Sequence, residues 1–512
     1  MERTRRDVVM GSFATALAGC AAAPLRSTGA EPRNVVLILT DDQRWNSLSF
    51  LGHPFLQTPH LDRMAAEGAH LPNAFVTTSL CCPSRASILT GLYAHAHNVL
   101  DNSSELDPAF PTYATLLRGA GVDTCYVGKW HMGAKNPHPR PGWDRWIGFR
   151  GQGRYVYPGG PEVAPLDRGF SFDGELREVE GYVTTLLTDH ATEYLRSRRP
   201  GRPFCLVLAH KAVHAPFVPR VADRDRFVDG PIPAVLPDTD EAAAGLPAWL
   251  RAMRHDREFG VDHPYGKWPD FASWYLDYHR TMLAVDDSVG QVLAALAETG
   301  LDRSTLVLFS SDNGFMFGEK GVLDKRNFYE PSIRVPLLAW APGWIPAGTR
   351  APELALNVDL APTILEALGY EAPPHWHGRS LVPLLRGLGA PDWRKEFVYQ
   401  YFFERAFPDT PTLFGLRTER MKFSTTWGMD TADELFDLSV DPGETDNKVA
   451  DPAYADRKGA LAGRLRQRCA ALGMVTKPVW GQNWIASPAD AAGAVGRRAE
   501  GAADEDGGDA EP

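Results

Sequence analysis

The sequence predicts an α/β fold: a large, mostly parallel sheet sandwiched by helices, followed by a smaller C-terminal antiparallel-sheet subdomain. Three observations lead there. Continuous apolar runs such as Asn34-Val-Val-Leu-Ile-Leu-Thr40 read as strands buried on both faces. Such runs alternate with helix-period segments, the pattern of parallel sheets covered on both sides. Around Asp392 the texture changes to short strand-like pieces in close succession.

Taken in order, Asn34 to Thr40 is the first buried strand. Thr58 to Gly68 has helical spacing, with Leu61, Met64 and Ala65 on one face and Pro59 in the first turn. Ala86 to Tyr93 reads as a helix with Pro83 just ahead. Tyr113 to Gly119 is a short helix leading into a strand over Val122 to Val127. The Gly- and Pro-rich stretch from Gly148 to Gly181 reads as a long surface excursion near the site. Phe204 to Ala209 is a second buried strand. Phe271 to Thr299 is the longest helix, its stripe running from Phe271 and Trp274 to Val292 and Leu296, and Gly300 stops it. Strands follow at Thr305–Ser310 and Val335–Ala341, then a helix at Leu360–Leu368. Beyond Asp392, pieces near 397–402, 413–417, 422–426 and 434–438 form a small antiparallel sheet, closed by a helix near 455–472. The expected divisions are 33–390 for a catalytic α/β domain, 391–486 for the C-terminal subdomain, and 487–512 for a disordered acidic tail.

The 512 residues carry 53 Lys and Arg against 64 Asp and Glu, a net charge of −11. That balance speaks against a nucleic-acid binder while leaving room for a local basic pocket. Six cysteines are too few for a disulfide scaffold in a chain of this length. Residues 1–20 read as an export signal: Arg5-Arg6 resembles a twin-arginine motif, and Leu17-Ala-Gly-Cys20 resembles a lipobox. A lipid on Cys20 would be the chain's one link to a membrane, at a periplasmic or outer-membrane location. An ordinary cleaved signal is the alternative.

Chemistry-bearing residues gather just after the buried strands. Asp41-Asp42 follows the first strand, and in open α/β sheets ligands sit beyond the carboxyl ends of strands. Adjacent carboxylates repel unless a cation lies between them. Asp312-Asn313-Gly314 follows the Thr305 strand and adds a carboxylate and an amide oxygen. Four hard oxygen donors suit Ca2+, and Mg2+ less, better than zinc. Each piece alone also fits a solvated turn.

The third piece is Cys81-Cys82-Pro83-Ser84-Arg85 with Thr90-Gly91 after it. Cys-x-Pro-Ser-Arg, an apolar helix and Thr-Gly resemble the signature of the type I sulfatases of the alkaline-phosphatase superfamily. Gly128-Lys129-Trp130-His131, Lys211-Ala-Val-His214, Asp312-Asn313-Gly314, Lys325-Arg326, Asp359-Leu-Ala-Pro-Thr363 and His377-Gly-Arg-Ser extend the resemblance from about residue 33 to about 450. Cys81 to Asn98 and Asp324 to Pro336 are most similar to N-acetylglucosamine-6-sulfatase-like members.

The resemblance implies an alkaline-phosphatase-like fold and a sulfatase acting on a sulfated carbohydrate, with 6-O-sulfo-N-acetylglucosamine the specific guess. It implies conversion of Cys81 to formylglycine by a formylglycine-generating enzyme. Hydrated, that aldehyde is a geminal diol; one hydroxyl attacks sulfur, and the second lets sulfate be expelled, an exit serine lacks. It assigns Asp41, Asp42, Asp312, Asn313 and the modified Cys81 to the metal. Arg85 holds the diol, and Lys129 and Lys325 neutralise sulfate oxygens. His131 takes the second diol proton, and His214 helps to protonate the leaving alcohol. Arg326 and Tyr329 are further candidates for substrate contacts, and Gly318-Glu-Lys320 departs from the Gly-Glu-His of relatives. The rival readings are a phosphonate monoester or phosphodiester hydrolase of the same superfamily, a non-catalytic glycan-binding surface lipoprotein, and an enzyme using an unmodified Cys81 thiol.

Overall fold

The computed structural model describes residues 33–133, 136–198, 201–234, 245–254, 270–426 and 433–474. The leader at 1–20 with Cys20, and the tail at 487–512, lie outside the described residues.

Five parallel strands form the centre of a ten-stranded sheet: Thr305–Ser311, Asn34–Thr40, Phe204–Ala209, Asp123–Gly128 and Arg145–Gly148, side by side in that order. The strand next to this centre on each side runs antiparallel to it. Leu337–Trp340 pairs antiparallel with Thr305–Ser311 on one side, and Gly169–Phe172 with Arg145–Gly148 on the other. The first strand shows why its run is apolar without alternation. Val35, Leu37 and Leu39 join one core, Val36 and Ile38 the other, and all five are buried. Each such side chain contributes about 1.5–3 kcal/mol.

The long helix Phe271–Glu298 covers one face, with Trp274, Tyr278, Met282, Val285, Val289, Val292 and Leu296 turned inward. Beside it lies Val183–Ser197, joined by a 2.6 Å hydrogen bond between Thr188 and Ser288 hydroxyls. The other face carries helices Cys81–Thr90, Tyr113–Gly119 and Leu360–Ala367. Strands Glu396–Tyr401, Leu413–Thr418, Met421–Thr426 and Glu434–Asp437 form the predicted small antiparallel sheet. Helix Ala455–Ala471 packs on it through Leu461, Leu465 and Cys469, spaced by four.

Two expectations are corrected, and one element is added. The helix expected at Ala86–Tyr93 spans Cys81–Thr90, because Pro83 sits in the first turn, where a missing N–H costs nothing. Gly91 ends it at φ 66°. The excursion from Gly148 to Gly181 is partly sheet, since Gly169–Phe172 and Glu175–Glu178 extend the main sheet at its edge. The amphipathic helix Val183–Ser197 was not foreseen.

Candidate active site

Four neighbouring parallel strands deliver their next residues to one spot. Asp41 and Asp42 leave the first strand, Asp312 and Asn313 the Thr305 strand, Lys129 and His131 the Asp123 strand, and Lys211 and His214 the Phe204 strand. This is the carboxyl edge where open α/β sheets place ligands. Gly128 allows the close approach: a Cβ there would stand 1.8 Å from the carbonyl oxygen of Ala209, and its φ is 120°. Asp42 and His131 are themselves in the left-handed region, at φ 61° and 70°. Non-glycine residues hold such conformations where the surroundings dictate them, and functional sites collect them.

The Cys81 helix points its first turn at this edge. Cys81 Sγ lies 3.5 Å from Asp41 Oδ1 and 3.1 Å from Lys325 Nζ. Arg85, one turn on, donates through Nε to Asp312 Oδ2 at 2.8 Å and through Nη1 to the carbonyl of Lys129 at 2.6 Å. Lys129 Nζ contacts Asp41 Oδ2, and Lys325 Nζ is 2.5 Å from Asp42 Oδ1. Asn313 Nδ2 donates to Asp42 Oδ1 at 2.6 Å. His214 Nε2 is 3.9 Å from Asp42 Oδ2. Its Nδ1, 2.5 Å from the carbonyl of Ala215, must be the protonated nitrogen, because a carbonyl only accepts. The other ring nitrogen therefore faces the site.

Three lysine or arginine heads and three carboxylates are thus buried together. Burial alone would raise Asp41, but the charges of Lys129, Arg85 and Lys325 outweigh it and hold that carboxyl well below the usual range. Asp42 is pushed up to about 7 by burial and by the nearby Asp41 and Asp312, against the pull of Lys325. Burial, with Asp41 beside it, pushes the Cys81 thiol up to about 12. An unmodified thiol here stays protonated at neutral pH, which argues against the thiolate reading. Burial and the surrounding cations hold His131 and His214 neutral.

The donor set can be tested for a metal. Asp42 Oδ2 and Asn313 Oδ1 are buried oxygens that accept no hydrogen bond. Oxygens of Asp41, Asp42 and Asp312 lie within 4.8 Å of one another, and Asp41, Cys81 and His214 form a second overlapping group. Unsatisfied buried acceptors among clustered carboxylates are what a hard divalent cation satisfies, so the residues fit Ca2+ or Mg2+.

All ten candidate residues therefore meet at one place. Sequence reasoning missed Gln152, whose Oε1 contacts Lys129 Nζ, and Tyr155, whose hydroxyl donates to the carbonyl of His214 at 2.9 Å. Both come from the Gly148–Gly181 stretch expected near the site; nothing in the local spacing singles them out. Arg326 and Tyr329, candidates for substrate contacts, face elsewhere. Arg326 is buried against Asp324 and Glu404, and the Tyr329 hydroxyl donates to Glu434 at 2.6 Å. Lys320 likewise turns to the carbonyl of Glu444.

The Sulfatase family profile matches residues 33–370, and the profile named N-sulphoglucosamine sulphohydrolase, C-terminal matches 318–471. An N-acetylglucosamine-6-O-sulfatase of Bacteroides thetaiotaomicron is 30% identical, with 90% of each chain covered. A solved structure described as a complex with its substrate D-glucosamine-2-N,6-O-disulfate superposes at a TM-score of 0.75, with 28% identity over 86% of this chain and 98% of the other. The phosphonate monoester hydrolase of Agrobacterium radiobacter superposes at 0.70, with 25% identity over 86% and 96%. The chain belongs to the sulfatase family: it is a sulfuric ester hydrolase on an alkaline-phosphatase-like fold.

Proposed function

We propose that the protein removes the 6-O-sulfate of N-acetylglucosamine residues in a sulfated carbohydrate, using formylglycine at position 81 and Ca2+. The carrying observation is the convergence on Cys81 of Lys325, Arg85 and the Asp41 carboxylate, in a chain 30% identical to an N-acetylglucosamine-6-O-sulfatase along nearly its whole length. Asp41, Asp42, Asp312 and Asn313 would hold the cation together with the modified residue 81. Bound there, a divalent cation supplies charge stabilisation and lowers the proton affinity of a ligated hydroxyl.

The protein's own groups then divide the work. Lys129 and Lys325 meet the sulfate oxygens with fixed positive charge in a buried pocket, where such charge acts most strongly. Arg85, anchored on Asp312, orients residue 81. Burial and the nearby Lys129 hold His131 neutral, and its buried Nδ1 makes no hydrogen bond within the protein, so in this reading its ring serves as the base toward the diol. His214 is also neutral. To act as the acid toward the leaving alcohol it must first gain a proton at Nε2, which the charge of an arriving sulfate ester favours.

Residues 33–390 form the catalytic unit in this reading and 391–486 the attached subdomain. The leader at 1–20 places the enzyme outside the cytoplasm, in the periplasm or on the outer membrane by a lipid on Cys20, where sulfated glycans are met. Maturation calls for a formylglycine-generating enzyme.

The likeness to the phosphonate monoester hydrolase sustains a second reading. Sulfate release from N-acetylglucosamine-6-sulfate, measured beside an aryl sulfate and an aryl phosphonate monoester, separates the two. Desulfation of the sugar at the highest kcat/KM is expected. Preference for the phosphonate ester would overturn the proposal, and turnover of the aryl sulfate alone would remove the sugar assignment.

A further inference from the structure

Cys81 and Lys325 stand 244 residues apart in sequence, yet their side chains meet at 3.1 Å. The segments that carry them need a common anchor. The Cys81 helix has an uncapped start: its N-cap is Leu80, which has no side-chain acceptor, so the first amide donors need partners from elsewhere. Asn102 Oδ1 accepts from the Cys82 amide at 3.1 Å. The Asn102 amide in turn donates to Glu404 Oε1 at 3.1 Å. The other carboxylate oxygen, Glu404 Oε2, accepts from Arg326 Nε at 2.6 Å and from the Tyr401 hydroxyl at 3.0 Å. Arg326 is the residue after Lys325, and its own amide and Nη1 are held by Asp324 at 2.9 and 2.8 Å.

One carboxylate from the C-terminal part of the chain thus holds the loop of Lys325 with one oxygen and the start of the Cys81 helix with the other. Glu404 and Arg326 are both buried. A buried ion pair adds little stability over apolar residues of similar size, because desolvation offsets the attraction. A pair joined by hydrogen bonds to two separate segments does fix geometry. We propose that Glu404 is a positioning residue for the reaction: it sets the distance between residue 81 and the Lys325 ammonium. Touching neither directly, it acts through Arg326 and Asn102. The inference rests on Lys325 serving as a sulfate-binding cation.

The test compares Glu404→Gln, the double variant Glu404→Leu with Arg326→Met, and the control Lys325→Met. All are made with formylglycine content and metal content measured per chain, and assayed on an aryl sulfate and on N-acetylglucosamine-6-sulfate. Glu404→Gln keeps an acceptor for Asn102 but loses the charge that holds Arg326. It should lower kcat about tenfold or more, with KM changed less than threefold and thermal midpoint little changed. The double variant replaces the pair by apolar groups; it should stay folded and lose at least as much kcat. A folded Glu404→Gln with wild-type kcat, while Lys325→Met is inactive, overturns the role of Glu404. An active Lys325→Met instead overturns the reading of the site itself. Should the double variant not fold, Glu404→Gln decides alone.

Discussion

Glu434 offers a perturbation whose size can be worked out in advance. It lies in the small sheet with no exposed face, accepting the Tyr329 hydroxyl at 2.6 Å. Burial, with Glu444 nearby, pushes its carboxyl up to about 7 despite Tyr329, Lys320 and Lys422. The fold therefore prefers the protonated acid, whereas the unfolded chain ionises near 4.5. The sign follows: the favourable contribution is full below about pH 4.5 and is lost as pH rises through about 7. At about 1.4 kcal/mol per tenfold change in proton affinity, the loss amounts to about 3 kcal/mol. Glu434→Gln keeps an acceptor for Tyr329 and cannot ionise, and Lys422 retains Glu444 and Glu330 as partners. Urea unfolding of both proteins at pH 5 and at pH 8.5 reads the difference. The variant should gain on the natural protein by up to about 3 kcal/mol at the higher pH, and most of that gain should vanish at the lower. A stability difference that does not change with pH would refute the reasoning.

Other perturbations have equally definite outcomes. Gly128→Ala would drive a Cβ into the Ala209 carbonyl, so it should cost about 3 kcal/mol or more and lower kcat by moving Lys129, as thermal unfolding and aryl sulfate turnover would show. Chelation of divalent metal should lower the thermal midpoint by leaving Asp41, Asp42 and Asp312 to repel one another; Ca2+ should restore it at lower concentration than Mg2+, read by calorimetry. Arg85→Lys should lower kcat at least tenfold with the fold intact, since one ammonium cannot hold Asp312 and the Lys129 carbonyl in the same fork.

The central sheet and the site were legible because both obey short-range rules. A run such as Asn34–Thr40 declares burial on two faces, and carboxylates directly after it declare a ligand edge. The Cys81 signature carried the rest, down to Lys325. What stayed hidden depends on contacts between remote segments. The edge strands at 169–178 lie in a Gly- and Pro-rich stretch whose composition resembles a loop, and pairing with Arg145–Gly148 overrides that tendency. The helix Val183–Ser197 begins with β-branched residues, which weaken local helix propensity, and packing on the long helix decides its form. Gln152 and Glu404 are lone polar residues whose partners are 23 and 78 residues away, at Lys129 and Arg326. Arg326 was misread because adjacency to Lys325 says nothing about direction. The two side chains leave the loop toward different carboxylates, Asp42 for Lys325 and Glu404 for Arg326.

The most direct test of the account is the link between the state of residue 81 and turnover. Preparations made with graded amounts of a formylglycine-generating enzyme would be scored by peptide mass for the fraction of residue 81 carrying the aldehyde, and by sulfate release from N-acetylglucosamine-6-sulfate. The account predicts a rate proportional to that fraction, approaching zero when every Cys81 is an intact thiol. Full activity with the thiol intact would contradict it.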